Sequence, residues 1–327
     1  MKVFITRQIP DQGIKMLREK GYELKIREAN SPISKKELIS ELKNGYDALL
    51  SLLTDKIDGD VMDAGLPRLK IIANYAVGFD NVNIEEGKKR NLLMTNTPGP
   101  EITESVAEHT FALMIALARR LVESDKFLRA GNYKGWQPML LLGTDLHHKT
   151  LGIVGLGRIG FAVAERAVKG FKMKLVYHDV KPNPDFESQF GGVYKSLDDL
   201  LKESDFVSLH VPLLPSTTHL ISDAQLAMMK PTAFLINTAR GPIVDEFALS
   251  KALRDKKIGG AGLDVFECEP SIDCIPDDHL DLKSFDNVVL TPHTASASIE
   301  ARQAMSRVAA QNIIEALEGR TPPNLVK

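Results

Sequence analysis

The stretch 149–179, KTLGIVGLGRIGFAVAERAVKGFKMKLVYHD, restricts the fold of this chain more than any other. Residues 151–154 form an apolar run short enough for a buried parallel strand. Gly155, Gly157 and Gly160 follow in G-x-G-x-x-G spacing and open a helical pattern over 159–169, starting with Ile159. A second apolar run, 175–177, leads to Asp179. In a strand–turn–helix–strand unit each glycine has a task. Gly155 permits a tight turn, Gly157 lets a pyrophosphate approach the backbone, and Gly160 lets helix and strand pack closely. The helix start offers unpaired N–H groups and a positive dipole end to phosphate. Asp179, 19 residues beyond Gly160, stands where a carboxylate accepts the adenosine ribose hydroxyls and repels the additional phosphate of NADP. The unit reads as a dinucleotide site that takes NAD in preference to NADP.

The chain around this unit alternates strand-like and helix-like pieces. Before it, strands are expected over 3–6, 23–26, 48–52, 69–73 and 92–95. Helices are expected over 12–20 and 34–44, the latter with Ser34 and Glu37 as a capping box. Thr97-Pro98-Gly99-Pro100 breaks the pattern, and one long helix is expected from 101 to about 130. Its middle, 112–117, is apolar on nearly every face, as in a helix buried between domains or subunits. The loop 131–144, with Trp136, Pro138 and several leucines, is expected to meet a partner subunit, line a substrate cleft or tuck onto its own domain. From 149 onward about six parallel strands are expected, ending at Val154, Tyr177, Val211, Ala239, Phe266 and Pro292. A last long helix over 298–318 returns to the first domain. The expectation is an α/β protein with two Rossmann-like/flavodoxin-like domains, parallel sheets and a cleft between them. A discontinuous substrate-binding domain takes 1–99 and 296–327, and an NAD-binding domain takes 100–295.

Composition narrows the function classes. With 41 basic and 43 acidic residues the formal net charge is −2, which gives no electrostatic case for nucleic acid or a membrane surface. No apolar stretch has the length of a bilayer span, and the first residues lack the long apolar region of a secretory signal, so a cytoplasmic location is expected. Cys268 and Cys274 read as free thiols, and with His279 they do not complete a zinc set; no metal is expected.

Ligands of open parallel sheets bind beyond the carboxyl ends of the strands. The polar residues placed there are Asp179, His210, Thr238, Arg240, Asp264, Glu267, Glu269 and His293. His293 can exchange a proton near neutral pH. Glu269 can hydrogen-bond its second ring nitrogen, and Arg240 offers a planar fork to a carboxylate. A hydride from nicotinamide, a proton and a cation for the carboxylate are what reduction of a 2-oxo acid requires. His210 is assigned to packing beside the cofactor and His109 to a structural role.

Eight segments in order, YAVGFDNVNIE (75–85), NTPGPEITESVAEHTFAL (96–113), GWQPMLLLGTDL (135–146), TLGIVGLGRIG (150–160), HVPLLPSTTHLI (210–221), INTARGPIVDE (236–246), GLDVFECEP (262–270) and LTPHTASA (290–297), carry a resemblance over the whole chain. On these the chain resembles the D-isomer-specific 2-hydroxyacid dehydrogenases, most closely their glyoxylate/hydroxypyruvate reductase branch. The resemblance implies NADH-dependent reduction of glyoxylate or hydroxypyruvate to the D-2-hydroxy acid by a homodimer, with Arg240 orienting the oxo acid, Glu269 tuning the histidine and His293 donating the proton. It implies substrate contacts at Leu53, Val77 and Gly78 as well as Arg240 and His293. Beyond the glycine turn and Asp179, it implies cofactor contacts at Thr103, Arg158, Ile159, Val211, Pro212, Thr217, Thr238, Ala239, Asp264 and Ala295. Departures are Ala295 in place of the family's usual glycine, and a longer, acidic segment (Asp277, Asp278, Asp281) between Glu269 and His293. The alternatives are dehydrogenation of another anion, phosphite or phosphoglycerate, and an NAD-sensing, co-repressor-like binding protein. Phosphite is disfavoured because Val77 stands where that enzyme type has a lysine.

Overall fold

The structure, a computed structural model, describes residues 1–269 and 282–326. Cys274, Asp277, Asp278, His279 and Asp281, singled out above, lie outside them. Among the described residues the chain runs β1 (Lys2–Ile5), α1 (Asp11–Glu19), β2 (Glu23–Ile26), α2 (Lys35–Leu42), β3 (Ala48–Leu52), α3 (Gly59–Gly65), β4 (Ile71–Tyr75), α4 (Ile84–Lys89) and β5 (Leu93–Thr95). It continues through α5 (Pro100–Ala118), α6 (Leu121–Arg129), β6 (Thr150–Val154), α7 (Arg158–Phe171), β7 (Lys174–His178), α8 (Pro184–Phe190), β8 (Val193–Tyr194), α9 (Leu197–Glu203) and β9 (Phe206–Leu209). It closes with α10 (Asp223–Met228), β10 (Phe234–Asn237), α11 (Glu246–Arg254), β11 (Gly260–Leu263), β12 (Val288–Leu290) and α12 (Ile299–Leu317).

Two compact units result, Met1–Ile102 with Ala297–Lys327, and Thr103–Ser296. In the first, five parallel strands take the order β2-β1-β3-β4-β5, one of the two common doubly wound orders. The strands alternate between two buried faces. Phe4, Leu49 and Ile72 meet Leu38 and Leu42 of α2 and Val61 and Met62 of α3. α1 and α12 pack together at a close approach. A Cβ on Gly13 would lie 2.1 Å from the Ser306 carbonyl oxygen. The Ser306 hydroxyl accepts the Gly13 N–H at 3.0 Å and donates to Pro10 O at 2.6 Å. Glycine is needed there so that the C-terminal helix can complete the first unit.

In the second unit seven parallel strands take the order β12-β11-β10-β9-β6-β7-β8. Read from β8, the first six follow the other doubly wound order. Leu151 and Ile153 of β6 face α5, α7 and α8, while Val154 and Leu209 face the layer of α9, α10 and α11.

Several expectations need correction. Seven strands stand in place of about six, because β8 has two residues and no readable alternation. β9 to β12 stop at Leu209, Asn237, Leu263 and Leu290, before the expected ends; Val265 and Phe266 are apolar because they fill core beyond the ladder. The long helix is two. Arg120 adopts φ +50°, and the Ala118 carbonyl, needed to continue α5, accepts the Thr144 N–H at 2.8 Å instead. Phe111, Leu113, Met114 and Leu117 of α5 are spent on the core of the second unit, although Ala112 is exposed. Half of the capping box forms. Ser34 Oγ accepts the Glu37 N–H, but the Glu37 carboxylate pairs with Arg27 at 2.6 Å. Cys268 is disulfide-bonded rather than a free thiol.

Gly13→Val places methyl groups against the α12 backbone. It should lower unfolding stability by about 1–3 kcal/mol, as overpacking does, read as a lower midpoint in urea. An unchanged midpoint would mean that α1 and α12 do not need this contact.

Candidate active site

All strands of a parallel sheet present their carboxyl ends at one edge, and the chemistry-bearing residues of the second unit collect there. β6 leaves the sheet through Gly155 at φ +93°. A Cβ on Gly155 would lie 2.8 Å from the His210 backbone and Val211 Cγ1, and one on Gly160 would lie 2.3 Å from Gly155 O. Gly157, by contrast, faces open space and caps α7 with no side-chain hydrogen bond. The first N–H groups of α7, at Arg158 and Ile159, therefore border a cradle that any side chain at 157 would fill. Asp179 closes it, accepting Leu156 N–H on Oδ2 and Val180 N–H on Oδ1, each at 2.6 Å. This is the donor set and shape that a dinucleotide pyrophosphate and ribose require, so the residues present fit the group.

Thr217 Oγ1 accepts Leu214 N–H at 2.8 Å and donates to Pro212 O at 2.6 Å, which shapes the turn after Val211. Thr238 is buried, 3.1 Å from Thr110 Oγ1.

Arg240, Glu269 and His293 follow β10, β11 and β12, neighbours in the sheet. His293 Nδ1 and Glu269 Oε2 are 2.6 Å apart, so the carboxylate takes Nδ1 and leaves Nε2 to exchange a proton. Glu269 Oε1 accepts Phe266 N–H at 3.0 Å. The Glu267 N–H donates to Glu246 Oε1 at 2.6 Å, and the Glu267 carboxylate pairs with His219. A Cβ on Gly241 would lie 1.9 Å from the Phe266 carbonyl, so the turn carrying Arg240 rests directly on the turn carrying Glu269. Asn237 locks the Arg240 side of that contact. Its Oδ1 accepts Ala239 N–H at 3.0 Å and its Nδ2 donates to Arg240 O at 2.8 Å.

His293 has φ +53°, a region sparsely used by residues other than glycine. Asp264, fully buried, holds it there. Its carboxylate accepts Thr291 Oγ1–H at 2.6 Å and the N–H groups of Thr294 and Ala295 at 2.8 Å each. Its carbonyl accepts His293 N–H at 2.8 Å. His109 Nε2 lies 2.9 Å from Thr291 Oγ1 and 3.4 Å from Asp264 Oδ1. Burial alone would push the Asp264 carboxyl up. The hydrogen bonds from His109, Thr291, Thr294 and Ala295 outweigh it and hold the carboxyl below its ordinary range.

In the first unit the Leu53 and Val77–Gly78 turns lie beyond the carboxyl ends of β3 and β4. Asn81 ties them together, its Nδ2 donating to Leu52 O at 3.1 Å and to Asp55 O at 2.9 Å and its Oδ1 accepting Asn74 Nδ2–H at 3.0 Å. Among the described residues no group of three His, Cys, Asp or Glu is placed to hold a metal ion, and no helix is long and apolar enough to cross a membrane.

The profile of the D-isomer specific 2-hydroxyacid dehydrogenase NAD binding domain matches residues 111–295. The chain is 51% identical to the glyoxylate reductase of Korarchaeum cryptofilum over 326 residues, 99% of this chain and 95% of that protein. The chain belongs to the D-isomer-specific 2-hydroxyacid dehydrogenases. Among solved structures it is similar to the TT0316 protein of Thermus thermophilus, with TM-score 0.92, 44% identity and 100% of both chains covered. It is also similar to the D-lactate dehydrogenase of Aquifex aeolicus complexed with NAD and lactic acid, with TM-score 0.86, 33% identity and 100% and 99% covered. It is thus an NAD-binding oxidoreductase acting on CH–OH donors.

The sequence marks the polar residues at the strand ends but not the amides that hold their turns. Asn237, Asn74 and Asn81 carry short amides in or beside apolar strands, and such amides inside an otherwise apolar run are the signal that was there to find.

Burial holds the His210 imidazole well below its usual range, at about 3, although the residue as a whole is only half-buried. The native ring is therefore neutral, while the unfolded chain takes up a proton below about pH 6.5. The neutral ring's contribution is complete above that pH and is lost progressively as pH falls toward 3. Relative to His210→Gln, the wild type should lose at most about 2 kcal/mol between pH 7.5 and 5, measured by urea unfolding at both values. A gap that does not change with pH would show that the ring stays accessible to protons.

Proposed function

We propose that this protein uses NADH to reduce glyoxylate to glycolate, or a similarly small 2-oxo acid such as hydroxypyruvate to the D-2-hydroxy acid. The observation that carries the reading is the His293–Glu269 pair at 2.6 Å, on the same sheet edge as the glycine cradle, in a chain similar over its whole length to glyoxylate reductases. The second unit holds the dinucleotide. The first, completed by the C-terminal segment, holds the substrate through Leu53 and the N–H groups of Val77 and Gly78.

The chemistry the reduced dinucleotide supplies when bound is a hydride for the substrate's carbonyl carbon. Arg240 binds the carboxylate with its planar fork and orients the carbonyl. His293 gives the proton on Nε2 to the developing alkoxide, and Glu269, on Nδ1, stabilises the charged ring that makes the gift possible. Asp179 favours NAD: its carboxylate has only acceptor atoms for a ribose and repels a phosphate on it. The absence of a lysine at Val77 suits a monoanionic acid better than a phosphite dianion.

The reading includes a homodimer in the cytoplasm. In support of the dimer, Trp136 is 81% and Met139 76% exposed in the single chain, large apolar groups that a partner subunit would cover.

The test is NADH oxidation at 340 nm by the pure protein across glyoxylate, hydroxypyruvate, pyruvate and phenylpyruvate, with phosphite plus NAD as control. Rapid turnover of a small oxo acid is the expected result, and silence on all of them with NADH bound would sink the reading. His293→Ala should lower kcat on the best oxo acid by at least about a hundredfold with NADH affinity unchanged, measured by fluorescence titration. Asp179→Ala should shift the NADPH-to-NADH ratio of kcat/KM by roughly tenfold toward NADPH; an unmoved ratio would remove Asp179 from cofactor selection.

A further inference from the structure

The turn after β4 is held by its carbonyls. Ala76 O accepts Thr97 N–H at 2.8 Å. Val77 O accepts from Asn96 Nδ2 at 2.7 Å, and Gly78 O accepts from Asn74 Nδ2 at 3.1 Å. The N–H groups of Val77 and Gly78 meet no acceptor among the described residues. In a planar trans peptide the C=O and N–H point in opposite directions. A donor that fixes Ala76 O therefore aims the Val77 N–H away from itself, and one that fixes Val77 O aims the Gly78 N–H. A hydrogen bond received at the carbonyl also polarises the same peptide's N–H and makes it a better donor. Both holding groups come from adjacent residues, Asn96 and Thr97, in the connection that follows β5.

The backbone of Asn96 has separate duties: its N–H donates to Asn324 O at 3.3 Å, and its carbonyl accepts Asn312 Nδ2–H at 3.1 Å. Its side chain is bonded, among the described residues, to Val77 O. A side-chain substitution therefore addresses the Val77–Gly78 peptide and leaves the anchoring of the connection in place.

We propose that Asn96 is a positioning residue for the substrate carboxylate, holding the Val77 carbonyl so that the Gly78 N–H is aimed at and polarised toward the anion. Asn74 does the same for the next peptide, and Asn81, bonded to Asn74 and to Leu52 O, keeps the Leu53 turn in step. The inference rests on the reading of this turn as the carboxylate site.

The test compares Asn96→Asp and Asn96→Ala with the wild type at pH 7.5, measuring kcat and KM for the best 2-oxo acid, NADH affinity and thermal midpoint. Asp keeps the shape of Asn but sets an acceptor against the Val77 carbonyl, while Ala only removes the donor. KM should rise roughly tenfold to a hundredfold in Asn96→Asp and less in Asn96→Ala, with kcat and NADH affinity little changed. A role in packing alone would reverse that order, because Asp fills the space that Ala leaves. Reversed order, or KM values equal to the wild type's, would overturn the proposal while leaving the reductase reading intact. A wild type that turns over no 2-oxo acid would show, before any variant is read, that the underlying reading has failed. If one variant does not fold, the other still decides whether KM moves.

Discussion

Parallel pairing is the constraint on which the rest of this structure depends. Each strand must be followed by a crossover before the next can run the same way, so every strand delivers its carboxyl end to one edge. In the second unit that rule brings the glycine turn after β6, His210 after β9, Arg240 after β10, Glu269 after β11 and His293 after β12 to a common edge. In the first unit it brings the Leu53 and Val77–Gly78 turns together in the same manner. Residues separated by more than a hundred positions in the chain thereby come under one geometry.

An edge of turns is less rigid than a sheet, and the protein compensates with buried acceptors and amides. Asp264 is the strongest case. One carboxylate and its own carbonyl take hydrogen bonds from Thr291, His293, Thr294 and Ala295, enough to keep His293 in a backbone region it would seldom choose. Asn237 does this for Arg240, and Asn74, Asn81 and Asn96 do it for the turns of the first unit. Gly241 adds close contact, letting the turns that carry Arg240 and Glu269 touch backbone to backbone. The residues proposed to meet the substrate are thus outnumbered by residues that only hold them.

Where the reading of the chain and the structure part, a competing contact is the cause. Nothing in the residues from Arg119 to Val122 marks a helix break; the break exists because the Thr144 N–H takes a carbonyl that α5 needed. Glu37 has the spacing of a capping box, yet a nearby arginine offers its carboxylate a charged partner. The apolar midsection of α5 suggested burial between larger bodies, and most of it is used by the sheet of its own unit. β8 has too few residues to show any period.

The amino-acid sequence by itself determined the class of the fold and placed the glycine turn, Arg240, Glu269 and His293 at strand ends, because strand period, glycine spacing and the chemistry of a side chain are local properties. Only the tertiary structure decided that the Glu269 carboxylate meets Nδ1 of His293, that Asp264 fixes the left-handed backbone of that histidine, and that Asn96 reaches Val77. Those contacts join residues 19 to 31 positions apart. Their existence depends on how crossovers of unequal length close onto one sheet edge, which no window of sequence contains.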